Sequence, residues 1–123
     1  METKRKIKRH KAQSVHYFEN ALHYIDAHDA EKASEFLWGS LTQALKATAM
    51  TKDKPLRSHT DIERYAREFI KSEDKDIYDA FEKAQSLHSN FYETGLSLET
   101  IVISADAINK AVVKLLSRIP DEN

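Results

Sequence analysis

Two glycines and two prolines, Gly39, Gly95, Pro55 and Pro120, are all the backbone punctuation that 123 residues contain. An all-β chain of this length needs many tight turns, and turns draw on these residues for left-handed or fixed dihedrals. Too few are present to supply them. Alanine, leucine, glutamate and lysine, which lose little on entering a helix, dominate what remains. The fold class expected is therefore all-α. The length suits one domain with a single core and leaves no material for a second.

Apolar spacing divides the chain into five helices. Ala12, Val15, Phe18, Leu22 and Ile25 step by three and four and place one stripe on a helix from about Ile7 to Ala27. Asp29 is suited to cap the second helix, whose stripe runs through Ala33, Leu37, Leu41, Ala44, Leu45 and Thr48 to about Thr51. Pro55 interrupts the longest loop. Thr60 and Glu63 fit a capping box for a third helix that buries Ile62, Tyr65, Ala66, Phe69 and Ile70. Ile77, Ala80, Phe81, Ala84, Leu87, His88 and Phe91 mark a fourth helix that ends near Gly95. Ser97 caps a fifth, carrying Leu98, Ile101, Val102, Ala105, Ile108, Val112, Leu115 and Ile119, and Pro120 stops it. Short connections around most of these helices predict antiparallel neighbours in a single up-and-down bundle.

The chain has no cysteine, which excludes disulfides and thiolate metal sites and fits a reducing compartment. No run of about 18 uncharged residues occurs, and no apolar stretch follows the charged start, so neither a membrane span nor a secretory signal is expected. A cytoplasmic location follows. The net charge of −1 conceals six cations without one acid between residues 4 and 11. Lys4, Arg5, Lys6, Lys8, Arg9 and Lys11 can meet phosphates through salt-sensitive attraction; a frayed, solvated helix start is the plainer reading and the one favoured.

Six histidines invite a metal, yet neither Glu-x-x-His pairs nor His-Glu-x-x-His occurs. His16 and His23 lie on one face about 10 Å apart along the axis, too far for one ion. No metal or other cofactor is expected. No glycine-rich loop precedes a helix, which removes the P-loop and dinucleotide motifs. Two segments keep chemically capable side chains close to apolar ones. Pro55 to Thr60 sets Arg57 and His59 beside a helix start, where Ser58 or His59 can equally serve as a cap while Leu56 plugs the core. Leu87 to Glu93 gathers His88, Asn90, Tyr92 and Glu93, where a histidine held by a carboxylate suits acid–base work and a buried, satisfied histidine is the alternative.

The alanine-rich Ala44-Leu45-Lys46-Ala47, the loop with Pro55, Arg57 and His59, and the amphipathic helix after it resemble the HEPN superfamily of small helical domains. Within it, Ala84-Gln85-Ser86-Leu87-His88-Ser89-Asn90-Phe91-Tyr92-Glu93 looks like a segment of the archaeal PaREP-type proteins, and the likeness spans roughly Ala30 to Leu116. The resemblance implies a bundle of four or five helices that forms homodimers and works on RNA or beside a nucleotidyltransferase. Many HEPN members are ribonucleases, marked by an arginine followed after about four to six residues by a histidine, late in the bundle and facing the dimer mate. Here Arg5 with His10 and Arg9 with His16 match only within the basic segment, and no arginine precedes His88 at that spacing. The expectation is thus a non-catalytic HEPN-like dimeric module that binds a nucleotide, RNA or a partner nucleotidyltransferase through Arg57, His59, His88, Asn90 and Tyr92. A divergent, toxin-like, metal-independent ribonuclease using His88 or His59 is the alternative, and a purely structural interaction module the third. Tyr17, Tyr24, Phe36, Trp38, Tyr78 and Tyr92 flank the core stripes and offer anchors for a dimer interface.

Overall fold

Helix formation follows the apolar spacing closely in the computed structural model, which describes residues 2–94 and 97–120, the backbone alone for 90–94. Helix α1 spans Glu2–Asp26 and α2 spans Ala30–Met50. The third rod is continuous but bent: α3 (His59–Tyr65) passes through a π turn (Ala66–Ile70) into the short α4 (Lys71–Glu73). Helices α5 (Lys75–Thr94) and α6 (Leu98–Ser117) complete five rods among the described residues, with no strand. The fold class is all-α.

Helix α2 is the centre of the bundle and is buried on several faces. Leu37, Leu41 and Leu45 pack with Ile70, Ile77, Phe81, Ile101, Ile108 and Leu115 from the third rod, α5 and α6. On another side α1 lies antiparallel to α2 along a seam of small residues. Ser14 Oγ donates to Ser40 O at 2.7 Å and Ser40 Oγ donates to Ser14 O at 2.8 Å, so two buried hydroxyls satisfy each other's backbones. Gly39 completes the seam, since a Cβ there would stand 3.1 Å from Tyr17 Cδ2.

This seam corrects the expected stripe of α1. Ser14 and Ala21 are fully buried, whereas Val15 and Leu22 remain 48% and 47% exposed. Close backbone approach admits only small side chains, and the larger apolar residues are displaced to the flank. The basic start lies in helix: α1 begins at Glu2, and His10 Nδ1 lies 2.6 Å from Gln43 Oε1 on α2.

Caps fall where short polar side chains meet orphan amides. Asp29 Oδ1 accepts from Lys32 N, Asp74 Oδ1 from Ile77 N and Ser97 Oγ from Thr100 N, at 3.1, 3.2 and 3.2 Å. The third rod is capped one step earlier than the Thr60–Glu63 box expected. Ser58 Oγ accepts from Asp61 N, and Asp61 Oδ2 reaches back to Arg57 N at 2.9 Å. Those hydrogen bonds hold the Asp61 carboxyl below the usual range, and Glu63 is left for other partners.

The loop between α2 and α3 determines where the candidate site assembles. It doubles back beside the third rod: Lys52 pairs with Glu73 at 3.3 Å, Lys54 Nζ lies 4.5 Å from the Phe69 ring centre, and Arg57 N is held by Asp61. Consequently α3 starts level with Trp38, near the middle of α2, instead of at its end. The rod then descends until Glu73 meets Arg118 at 3.0 Å and Asp74 meets Lys114 at 3.3 Å. These ion pairs join the lower ends of α2, α4 and α6 above the buried Tyr65, whose hydroxyl pKa is raised by burial.

Candidate functional site

Three rings from three separate helices meet on one flank of the bundle. Trp38 of α2 is nearly buried, at 9% exposure. His59, the first residue of α3, stacks on it with ring centres 5.3 Å apart, and His88 of α5 stacks at 4.9 Å with planes inclined by 13°. The imidazoles are 6.4 Å from each other. A sandwich would separate them by the sum of the two stacking distances, so both lie on the same side of the indole. The side chains of His59 and His88 are 46% and 35% exposed, so the pair is open to solvent over an apolar floor.

Each imidazole has a carboxylate beside it. Glu63 Oε2 is 3.7 Å from His59 Nε2, one helical turn further along α3. Gln85 Nε2, from α5, lies 3.3 Å from both His59 Nε2 and Glu63 Oε2. With the amide as donor, His59 Nε2 is the acceptor and the neutral ring carries its proton on Nδ1. Glu63 also pairs with Arg67 at 3.6 Å. His88 Nδ1 is shielded from solvent, lies 3.3 Å from Glu35 Oε2 and makes no hydrogen bond among the described residues. A shallow, open depression lined by Glu82, Gln85, Ser86 and Ser89 adjoins Gln85. The arrangement can hydrogen-bond a polar ligand edge and cover an apolar one.

The two segments singled out in the sequence thus contribute to one cluster, although 28 residues lie between His59 and His88. Ser58, not His59, is the cap, which frees the imidazole. Arg57 is exposed two residues before His59, and among the described residues its guanidinium has no partner. The side chains of Asn90 and Tyr92 lie outside the described residues. Trp38, Glu35, Glu63 and Gln85 join the cluster without standing out in the sequence, where Trp38 has the placement of an interface aromatic and Glu63 that of a cap. No local signal marks them, because three helices must pack before they meet.

The basic segment is elsewhere. His10 faces Gln43 on the α1 side of α2, and burial lowers its pKa with Arg9, Lys46 and Lys6 adding to that effect. The literal Arg5–His10 pair therefore ends in a histidine turned into the α1–α2 seam. His16 and His23 sit beside their own neighbours Tyr17 and Tyr24, at 6.3 and 5.1 Å between ring centres. Among the described residues no group of three histidine or acidic side chains is placed to hold a metal ion. Tyr24 stacks on Phe36 and Tyr78 on Phe81, and Tyr17 meets Phe36 at a tilt of 54°, so these aromatics are engaged within the chain. No helix among the described residues is long and apolar enough to cross a membrane.

The archaeal PaREP1/PaREP8 family profile matches residues 9–112. The chain belongs to the archaeal PaREP1/PaREP8 family. No curated protein and no solved structure shows detectable similarity to it. The PaREP1/PaREP8 match takes in Trp38, His59, Gln85 and His88 together and leaves Lys4 to Lys8 outside.

Proposed function

We propose that this PaREP1/PaREP8 protein is a non-catalytic, HEPN-like dimeric module that binds a nucleotide or RNA at the cluster of His59 and His88 on Trp38. The observation that carries the proposal is the convergence of those imidazoles from two different helices on one buried indole. The indole floor and imidazole faces suit an aromatic base, Gln85 suits a base edge, and the exposed Arg57 guanidinium, two residues before His59, suits a phosphate. The cations of residues 4–11, on another side of the bundle, add attraction for a polyanion that extends beyond the cluster. The all-helical bundle and the family membership support the HEPN-like reading. Its superfamily's arginine–histidine pair has no counterpart at His88, which is why the module is proposed as non-catalytic.

Fluorescence polarisation with a labelled single-stranded RNA and with free nucleotide tests this. A combined His59→Ala and His88→Ala substitution is expected to weaken binding at least about tenfold, the scale of one lost charge-assisted hydrogen bond. Raising salt is expected to weaken RNA more than free nucleotide. Affinity unchanged by the double substitution sinks the proposal. A second reading, a metal-independent ribonuclease, is favoured by the two imidazoles each lying beside its own carboxylate. Cleavage of the RNA by purified protein, lost in His59→Ala and His88→Ala alike, would replace binding with catalysis at the same site.

A further inference from the structure

Helix α1 leaves a face uncovered. Val15 and Leu22 are 48% and 47% exposed and lie two turns apart on one stripe, with Phe18 and Ile25 half-buried along its edge. Lys11 stands four residues before Val15 and Asp26 four residues after Leu22. Elsewhere the surface neutralises itself locally: on the exposed side of α6 Lys110 pairs with Asp106 at 3.1 Å, and on α5 Lys75 with Asp79 at 3.7 Å. Lys11 and Asp26 form no ion pair among the described residues, because the cations of α1 occupy its first turns and Glu19 and Asp26 its later ones.

We infer that this face of α1 pairs antiparallel with α1 of a second copy of the chain, across a two-fold axis between Val15 and Leu22. Equal spacing on either side of the axis sets Val15 against the partner's Leu22 and Lys11 against the partner's Asp26. Lys11 and Asp26 are complementary in this direction, whereas parallel pairing would set Lys11 against Lys11 and Asp26 against Asp26. A two-fold interface repeats each contact, so two apolar pairs and two ion pairs form together. The inference deepens the dimer invoked above by stating which surface makes it. The seam with α2 and the histidine cluster stay open to their own functions, because Ser14, Ala21 and Trp38 face elsewhere.

Sedimentation equilibrium across a wide concentration range reads the mass. The wild-type protein is expected to reach a dimer whose dissociation constant rises with salt. Val15→Glu with Leu22→Glu, both on the exposed face, is expected to leave a folded monomer, with helicity checked by circular dichroism. Lys11→Glu and Asp26→Lys should each weaken the dimer about tenfold, because each replaces attraction by repulsion at two symmetric positions. Mixing those two variants restores both ion pairs in the heterodimer, which should form more tightly than either variant alone. The charge variants decide the question even where the glutamate pair fails to fold. A monomer at every concentration, a dimer that Val113→Glu on α6 breaks while Val15→Glu does not, or a mixture no tighter than its components overturns the inference. So does a stripe whose substitution costs RNA affinity and changes no mass, which gives the face to RNA. Failed binding by the histidine cluster with the dimer intact leaves this inference standing, and failure of the dimer leaves the ligand site standing.

Discussion

Histidines in this chain are sorted by what packs around them rather than by their neighbours in sequence. His59 and His88 were legible as candidates because each sits at a polar segment next to core residues. Their shared floor was not legible, since Trp38 stands in an ordinary helical stripe and only the doubled-back loop brings α3 level with it. His10 shows the opposite case, a histidine in a basic run that ends up hydrogen-bonded to Gln43. Burial, then the nearby cations, hold its pKa below the ordinary 6.5. The unfolded chain therefore takes up a proton at His10 before the folded one does, and this contribution to stability is complete above pH 6.5 and lost as pH falls through the lowered folded value. Thermal melts between about pH 7 and 5 should show wild type losing stability more steeply than His10→Gln, which keeps a partner for Gln43 but does not titrate. Equal slopes would place the neutral histidine outside the pH response.

At the scale of elements, the five rods and most caps follow from sequence spacing, because a 3.6-residue stripe and a short polar cap are local signals. The stripe of α1 misled because alternation of large apolar residues is a poor guide where helices approach closely. There Ser14, Ala21 and Gly39 make the contact and Val15 and Leu22 are turned outward. The π turn at Ala66–Ile70 has no sequence counterpart that spacing alone reveals. Helix ends offer a direct test of local energetics. His28 and Asp53 close α1 and α2 with φ of 58° and 56°, while Asp29 N and Lys54 N reach back to Tyr24 O and Ala49 O at 2.8 and 3.0 Å. Side chains disfavour that left-handed conformation and glycine does not. His28→Gly and Asp53→Gly are each expected to stabilise the fold by about 0.5–1 kcal/mol in urea unfolding. Destabilisation by either would mean that the native side chain contributes more than its strained backbone costs.

In the whole molecule, the central helix keeps the two proposed surfaces apart. One side of α2 holds α1, with its cations and its uncovered apolar stripe. Another side holds the ring cluster, and the ion pairs of Lys52, Glu73, Asp74, Lys114 and Arg118 fasten the lower ends of α2, α4 and α6. The proposed ligand site and the proposed dimer face therefore share no residues. Trp38 is the single tryptophan of the chain, so its fluorescence reports the proposed site without any label. Titrating the protein with single-stranded RNA or nucleotide and following Trp38 emission tests the central claim most directly. A saturable change that disappears in the protein carrying His59→Ala and His88→Ala is the predicted result. An unresponsive emission, or the same saturable change in the absence of both imidazoles, would contradict it.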